Sequence, residues 1–259
     1  YQLPLGVVGI VVAIVLLPEL ARALKAGDDV EAANLQNRSV EFTLFLTLPA
    51  AAALLVMAEP IVRVLYERGA FAASNSTPVV ASILSIFGLG LPAFVLIKAF
   101  TPGYFAREDT RTPMVFAAIS VALNIAMALV LFPSMGAPGI AVASAAAGWL
   151  NAVMLLAVLI RRGHWGHDAP LMKRIPRLVV SAAIMGAALW IAQDWLGDRL
   201  SASAPLVTQV VTLALLSGAG AVLYFGLAFA LGGADPGMVR RSIRRGATRP
   251  TAMEPPQDS

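Results

Sequence analysis

Cysteine is absent from the 259 residues, which excludes disulfides and thiolate metal sites but leaves the redox compartment open. Charge is scarce as well: 13% of the residues are Asp, Glu, Lys or Arg, against roughly a quarter in an average soluble domain. So few polar side chains cannot clothe a water-facing surface. No GxGxxG, P-loop or GxSxG motif occurs, and no two carboxylates fall within an apolar run as acid–base catalysis would need, which leaves an enzymatic reading little support. The first residue is Tyr1, with neither a basic n-region nor a small-residue cleavage site around the first apolar run. The chain therefore starts unlike a signal peptide and reads as a fragment of something longer.

What is present is hydrocarbon. Hydrophobic residues make up 58% of the chain and mean hydropathy is +0.78. A helix crossing a bilayer needs about 20 mostly apolar residues. Seven stretches approach that length: Leu3 to Leu24, Phe42 to Ala58, Pro78 to Phe100, Met114 to Phe132, Pro138 to Ile160, Leu178 to Leu196 and Pro205 to Leu231. β-Barrel strands are about half as long and alternate in polarity. The expected fold is an all-α polytopic membrane protein with seven transmembrane helices.

The charges test that count. If all seven stretches cross, sixteen of the nineteen Lys and Arg residues fall on one side, and only Arg63, Arg68 and Arg199 on the other. The positive-inside rule makes the richer side cytoplasmic, so the tail ends inside. The formal charge of +4 and pI near 9.8 then reflect topology rather than nucleic-acid binding, since the basic residues sit in short groups between apolar runs.

Pro18, Pro49 and Pro92, with Gly88 and Gly90 one turn before the last, predict bent helices. Ser144 to Gly148 has small-xxx-small spacing, read as helix packing. Residues 60–69 place Ile61, Val62, Leu65 and Tyr66 near one face of a short interfacial helix stopped by Gly69. The tail 232–259 is basic, Pro-containing and expected to be disordered near anionic lipid. His164, His167 and Asp168 offer metal-ligand types without a completing third close ligand, so loop residues are the simpler reading. Glu19, Lys98 and Asp194 lie at span ends, within reach of the headgroups, while Asn124 and Ser144 are deeper, suited to hydrogen bonding between helices or to a polar path. In the loop 101–113, Pro102-Gly103 is expected to end one helix. Asp109 or Thr112 caps the next, and Arg107, Glu108, Asp109 and Arg111 alternate as in a salt-bridge latch.

At this loop the sequence resembles the MurJ (MviN) family of lipid II flippases. The phrases Pro4-Leu-Gly-Val-Val-Gly9, Leu16-Leu-Pro-Glu-Leu20, Ala58-Glu-Pro-Ile-Val-Arg-Val-Leu-Tyr-Glu-Arg-Gly-Ala-Phe71 and Pro102-Gly-Tyr-Phe-Ala-Arg-Glu-Asp-Thr-Arg-Thr-Pro113 are similar to that family's landmarks in order, across residues 1 to 231. The resemblance implies helices eight to fourteen of a fourteen-helix exporter of the multidrug/oligosaccharidyl-lipid/polysaccharide (MOP) superfamily. It divides the chain into five lobe spans (1–160), a basic cytoplasmic loop (161–177), a two-helix groove for the lipid tail (178–231) and the tail (232–259).

It further implies a substrate path past Gln2, Pro4, Gly6, Asn124 and Ser144, and a cytoplasmic gate at Lys98, Arg107, Glu108, Asp109 and Arg111. Implied partners are lipid II, membrane lipids and an N-terminal lobe that carries most cavity arginines. No cofactor is implied beyond coupling to the membrane potential. Asn124 and Ser144 match two sodium ligands of some relatives, but Ala128 stands where an aspartate is expected, which argues against sodium. Rival readings are an exporter of another polyprenyl-linked glycan, a drug/cation antiporter of the MATE type, a polyprenyl-phosphate enzyme and a membrane scaffold.

Overall fold

A computed structural model describes residues 6, 16–166, 169–201 and 203–233. Residues 16–25 are helical (α1). There follow α2 (Asp29–Val56), α3 (Ala58–Tyr66), α4 (Ala70–Ala73), α5 (Thr77–Phe105), α6 (Arg111–Met135), α7 (Ala137–Arg161), α8 (Ala169–Trp195), α9 (Gly197–Leu200) and α10 (Leu206–Ala230). Among the described residues, six helices are long and apolar enough to cross a membrane. They are the second to seventh of the expected spans. Most of the first, Leu3 to Leu24, lies outside the described residues, as does residue 234 onward of the tail.

Helix is the form that hydrocarbon permits, because it satisfies each backbone donor within its own segment. The ends are set by local chemistry. Asp28 caps α2 by accepting the Glu31 N–H at 2.9 Å, and Asp29 and Glu31 lie at the positive end of that helix's dipole. Between α6 and α7 a single residue turns the chain. Gly136 has φ +65°, a conformation that L side chains rarely adopt, and it stands between Pro133 and Pro138.

Several boundaries differ from the sequence reading. α2 begins 13 residues before Phe42, because its polar first half finds partners inside the protein: Gln36, Asn37 and Glu41 are all buried. Pro102-Gly103 does not end α5, which runs on to Phe105; proline removes one amide donor, and Gly103 leaves room for the Gln36 side chain, whose Nε2 donates to the Ala99 carbonyl at 2.6 Å. The basic loop expected over 161–177 is shorter, since α8 starts at Ala169 with Pro170 in its first turn. In α3, Val62 points inward, but Leu65 and Tyr66 are both exposed; the buried side instead includes Pro60 and Val64. Gly69 does break the helix, and the short α4 follows it.

α5 and α7 form the broadest interface, tied by Tyr104 Oη donating to the Leu155 carbonyl at 2.6 Å and Trp149 Nε1 donating to the Leu89 carbonyl at 3.0 Å. Gly90 and Gly148 let the Phe94 ring lie between these helices, so the small-residue run from Ser144 to Gly148 serves packing. α6 lies almost wholly on α7, and α2 packs on both α5 and α8. Gly88 admits α2, for a Cβ there would meet Leu54 Cβ at 3.0 Å. α10 rests on α8 and reaches α2 through an aromatic cluster of Phe45, Tyr224, Phe225 and Phe229. Within it Tyr224 Oη donates to the Phe45 carbonyl at 2.9 Å. Tyr224→Phe removes that bond and keeps the ring, so an unfolding free energy lower by about 1 kcal/mol is expected in detergent. An unchanged melting temperature would show that the bond contributes nothing.

Candidate functional site

The loops gather at two ends, as the charge count requires. At one end Arg162, just after α7, hydrogen-bonds Asp109 of the α5–α6 loop, and Asn37 Nδ2 of α2 donates to the Gly166 carbonyl at 3.1 Å. At the other, Arg63 of α3 lies between Glu59 and Glu67 and donates to the Leu200 carbonyl at 3.3 Å.

The first end holds the expected gate residues. Asp109 performs the capping anticipated for it: Oδ1 accepts the Thr112 N–H at 2.9 Å and Oδ2 accepts the Thr112 hydroxyl at 2.7 Å. Its ionic partner is Arg162, whose other guanidinium nitrogen reaches the Thr112 hydroxyl at 3.2 Å. The latch expected within the loop is therefore replaced by one between helices. Arg107 turns back to the Gly103 carbonyl at 2.8 Å instead of to Asp109. Glu108 is exposed with φ +60°, and Lys98 and Arg111 are exposed.

The hydrogen bond from Arg162, then those from Thr112, hold the Asp109 carboxyl down at about 2. Burial pushes the Arg107 guanidinium below its usual range, with Asp29 opposing. Burial also lowers the His164 imidazole, followed by the charges of Arg107 and Arg162, again against Asp29. His164 is therefore neutral at neutral pH. No penalty exists above the ordinary value of about 6.5, and the fold loses stability as pH falls below it, because the unfolded chain takes up the proton first. Thermal unfolding compared at about pH 7.5 and about pH 5.5 should show this loss shrinking in His164→Gln. His167 and Asp168 lie outside the described residues.

Beneath this loop an apolar cavity of about 430 Å³ opens between α5, α6 and α7, lined among others by Ile97, Thr101, Thr110, Met114, Asn151 and Leu155. The buried Asn151 Oδ1 has no hydrogen-bond partner among the described residues. Farther along, Ser144 Oγ of α7 approaches Asn124 Oδ1 of α6 at 3.4 Å, a long bond between helices. Ala128, one turn on, offers no side-chain oxygen. Gln2 and Pro4 lie outside the described residues, and around Gly6 no atom stands within 4 Å of where a Cβ would be. Asp194 is exposed and Glu19 half-buried.

Sequence reasoning missed the local Arg63 pairs with Glu59 and Glu67 and one long-range ion pair inside the bundle. Glu41, which is buried, accepts Arg174 Nη1 at 2.8 and 3.0 Å. Glu41 directly precedes the apolar run that starts at Phe42, and Arg174 falls within the basic loop expected over 161–177. An isolated acid against the first apolar residue of a span was the available signal.

Six long apolar helices among the described residues, with charges drawn to the two ends, define a polytopic helical membrane protein. The family described as lipid II flippase MurJ matches residues 1–223, and the chain belongs to that family. It is 67% identical over 248 residues to the "Probable lipid II flippase MurJ" of Rhizobium meliloti (strain 1021), covering 96% of this chain and 46% of that protein. The protein of the same description from Rhizobium tropici is 54% identical over 253 residues, covering 97% and 47%. A solved structure, "Lipid II flippase MurJ, inward closed conformation", shares the fold with a TM-score of 0.66 at 24% identity, over 87% of this chain and 45% of that one. The chain thus spans about half the length of the curated relatives it matches.

Proposed function

We propose that this chain is the C-terminal half of a lipid II flippase of a bacterial inner membrane, a transporter and not an enzyme. The observation that carries this reading is the 67% identity along nearly the whole chain to a protein described as a probable lipid II flippase.

Bare transfer of a large anionic headgroup through hydrocarbon is prohibitively slow. A polar cavity between two lobes removes that barrier if it opens to one side at a time, while the prenyl chain stays in lipid beside it. The lobe described here supplies one wall. Its end bearing Asp109 and Arg162 forms the inner gate, and the apolar cavity beneath gives the gate helices space in which to move. No covalent step is needed. The membrane potential, acting on charges that shift during the cycle, biases it at about 2.3 kcal/mol per elementary charge per 100 mV. Substrate lipid II, the surrounding lipids and an N-terminal lobe of the same protein are the partners.

Full-length protein should sustain cell-wall synthesis in bacteria depleted of their own flippase, and residues 1–259 alone should not. Failure of the full-length protein would remove lipid II as substrate; rescue by the fragment would remove the two-lobe account. Orientation has its own test, made simple by a chain without cysteine. A membrane-impermeant maleimide added outside should label Ser76→Cys and spare Glu108→Cys. The reverse pattern overturns the assignment of the basic end to the cytoplasm.

A further inference from the structure

Among helices α2 to α10, α2 is the long helix shared by two packing groups: α5, with α7 and α6 beyond it, on one side, and α8 with α10 on the other; the short α3 also touches both groups. The second group is held to α2 at neighbouring positions of one helix face. Phe45 receives the Tyr224 hydroxyl on its carbonyl and the α10 aromatic rings on its own ring. One turn earlier, Glu41 receives Arg174 of α8 on both carboxylate oxygens. α10 follows α8, since Gly220 lies against Leu189 and Arg177 donates to the Gly232 carbonyl at 3.2 Å.

Farther along the α2–α8 seam, around Gly186, the contact is apolar. A Cβ on Gly186 would find Val56 and Ala52 at 3.6 and 3.8 Å, ordinary contact. Apolar contact of this kind has no preferred direction and tolerates rotation or sliding. The Glu41–Arg174 bond is directional, and an ion pair with one partner buried is a poor source of net stability beside a well-packed apolar pair. What it contributes best is a single setting.

We infer that Glu41 and Arg174 are positioning residues: their bond fixes the rotational and axial setting of α8, and through it α10, against the α5–α7 group, and transport depends on that setting. Only the transport part rests on the flippase reading.

The test uses the full-length protein in lipid nanodiscs, with any cysteines replaced and spin labels at Val153→Cys on α7 and Val180→Cys on α8, both exposed. Arg174→Gln should shift or broaden the distance distribution by about 2 Å or more, the size of an interfacial helix displacement. Lipid II flipping should fall about tenfold, within the usual range of coupling between separate elements. Glu41→Gln should do less, because the Arg174 side chain is 30% exposed and stays hydrated, whereas the Glu41 side chain is 5% exposed. The double variant Glu41→Gln/Arg174→Gln should return both readouts toward wild type. If Arg174→Gln does not fold, Glu41→Gln and Arg174→Lys carry the same measurement. Unchanged distances below the melting temperature overturn the proposal even where melting falls, since a merely structural pair lowers stability without moving α8. Moved distances with full transport overturn it as well. Wild-type protein that fails to flip lipid II sinks the flippase reading, and the distances still decide whether the pair positions α8.

Discussion

Gly148→Leu is expected to leave little folded protein in the membrane. A Cβ at this position would overlap the Phe94 ring, which lies between α5 and α7. The ring cannot retreat easily, because the Gly90 side of the gap is also filled: a Cβ there would meet Ala145 Cβ at 3.1 Å. Leucine therefore forces the ring out or the helices apart at the broadest interface in the bundle, and overpacking of this kind costs about 1–3 kcal/mol or more. Size-exclusion and thermal unfolding of detergent-solubilised protein provide the measurement. Adding Phe94→Ala should recover much of the loss by vacating the space the leucine needs. Wild-type melting in the single variant would mean that the ring is not the wedge between these helices.

The second large effect belongs to Asp109, which caps α6 and joins the α5–α6 loop to the end of α7. Asp109→Arg should impair transport strongly by losing the cap and placing two arginines together. Exchange of the pair, Asp109→Arg with Arg162→Asp, should recover part of the activity, while Asp109→Arg with Arg107→Asp should recover none, because Arg107 binds the Gly103 carbonyl instead. Equal rescue by the two exchanges would reinstate the pairing within the loop. The acid response follows the depressed carboxyl. Its contribution to stability is complete above the unfolded value of about 3.9 and drains away as pH falls toward about 2. With the Arg162 side chain 44% exposed, the pair itself contributes only about 0.5–1 kcal/mol. Its larger part is in tying the α5–α6 loop to the end of α7.

Hydrophobic thickness is a property of short segments, which is why the spans from Phe42 onward were legible to within a few residues at most of their ends. The widest departure, at the start of α2, has a physical cause. Gln36, Asn37 and Glu41 look like loop residues because water is the usual partner of such side chains, yet here the Ala99 carbonyl, the Gly166 carbonyl and Arg174 take that place from 63 to 133 residues away. No local pattern encodes a partner so distant. Asp109 shows both sides of this limit. Its cap is local, three residues long, and was readable; its ion pair spans 53 residues and was not.

α6 has its own consequence. Ser120 is its one buried residue among those described, and Met114, Ile119, Val121, Ile125, Leu129 and Val130 face outward. Nearly all its neighbours belong to a single helix, so tilting it sacrifices little covered area, whereas any of its companions would have to leave two or more partners at once. Within this chain α6 is therefore one pole leaning on one wall, footed at Asp109 and Arg162, and of the chain's long helices it is the one whose tilting uncovers least.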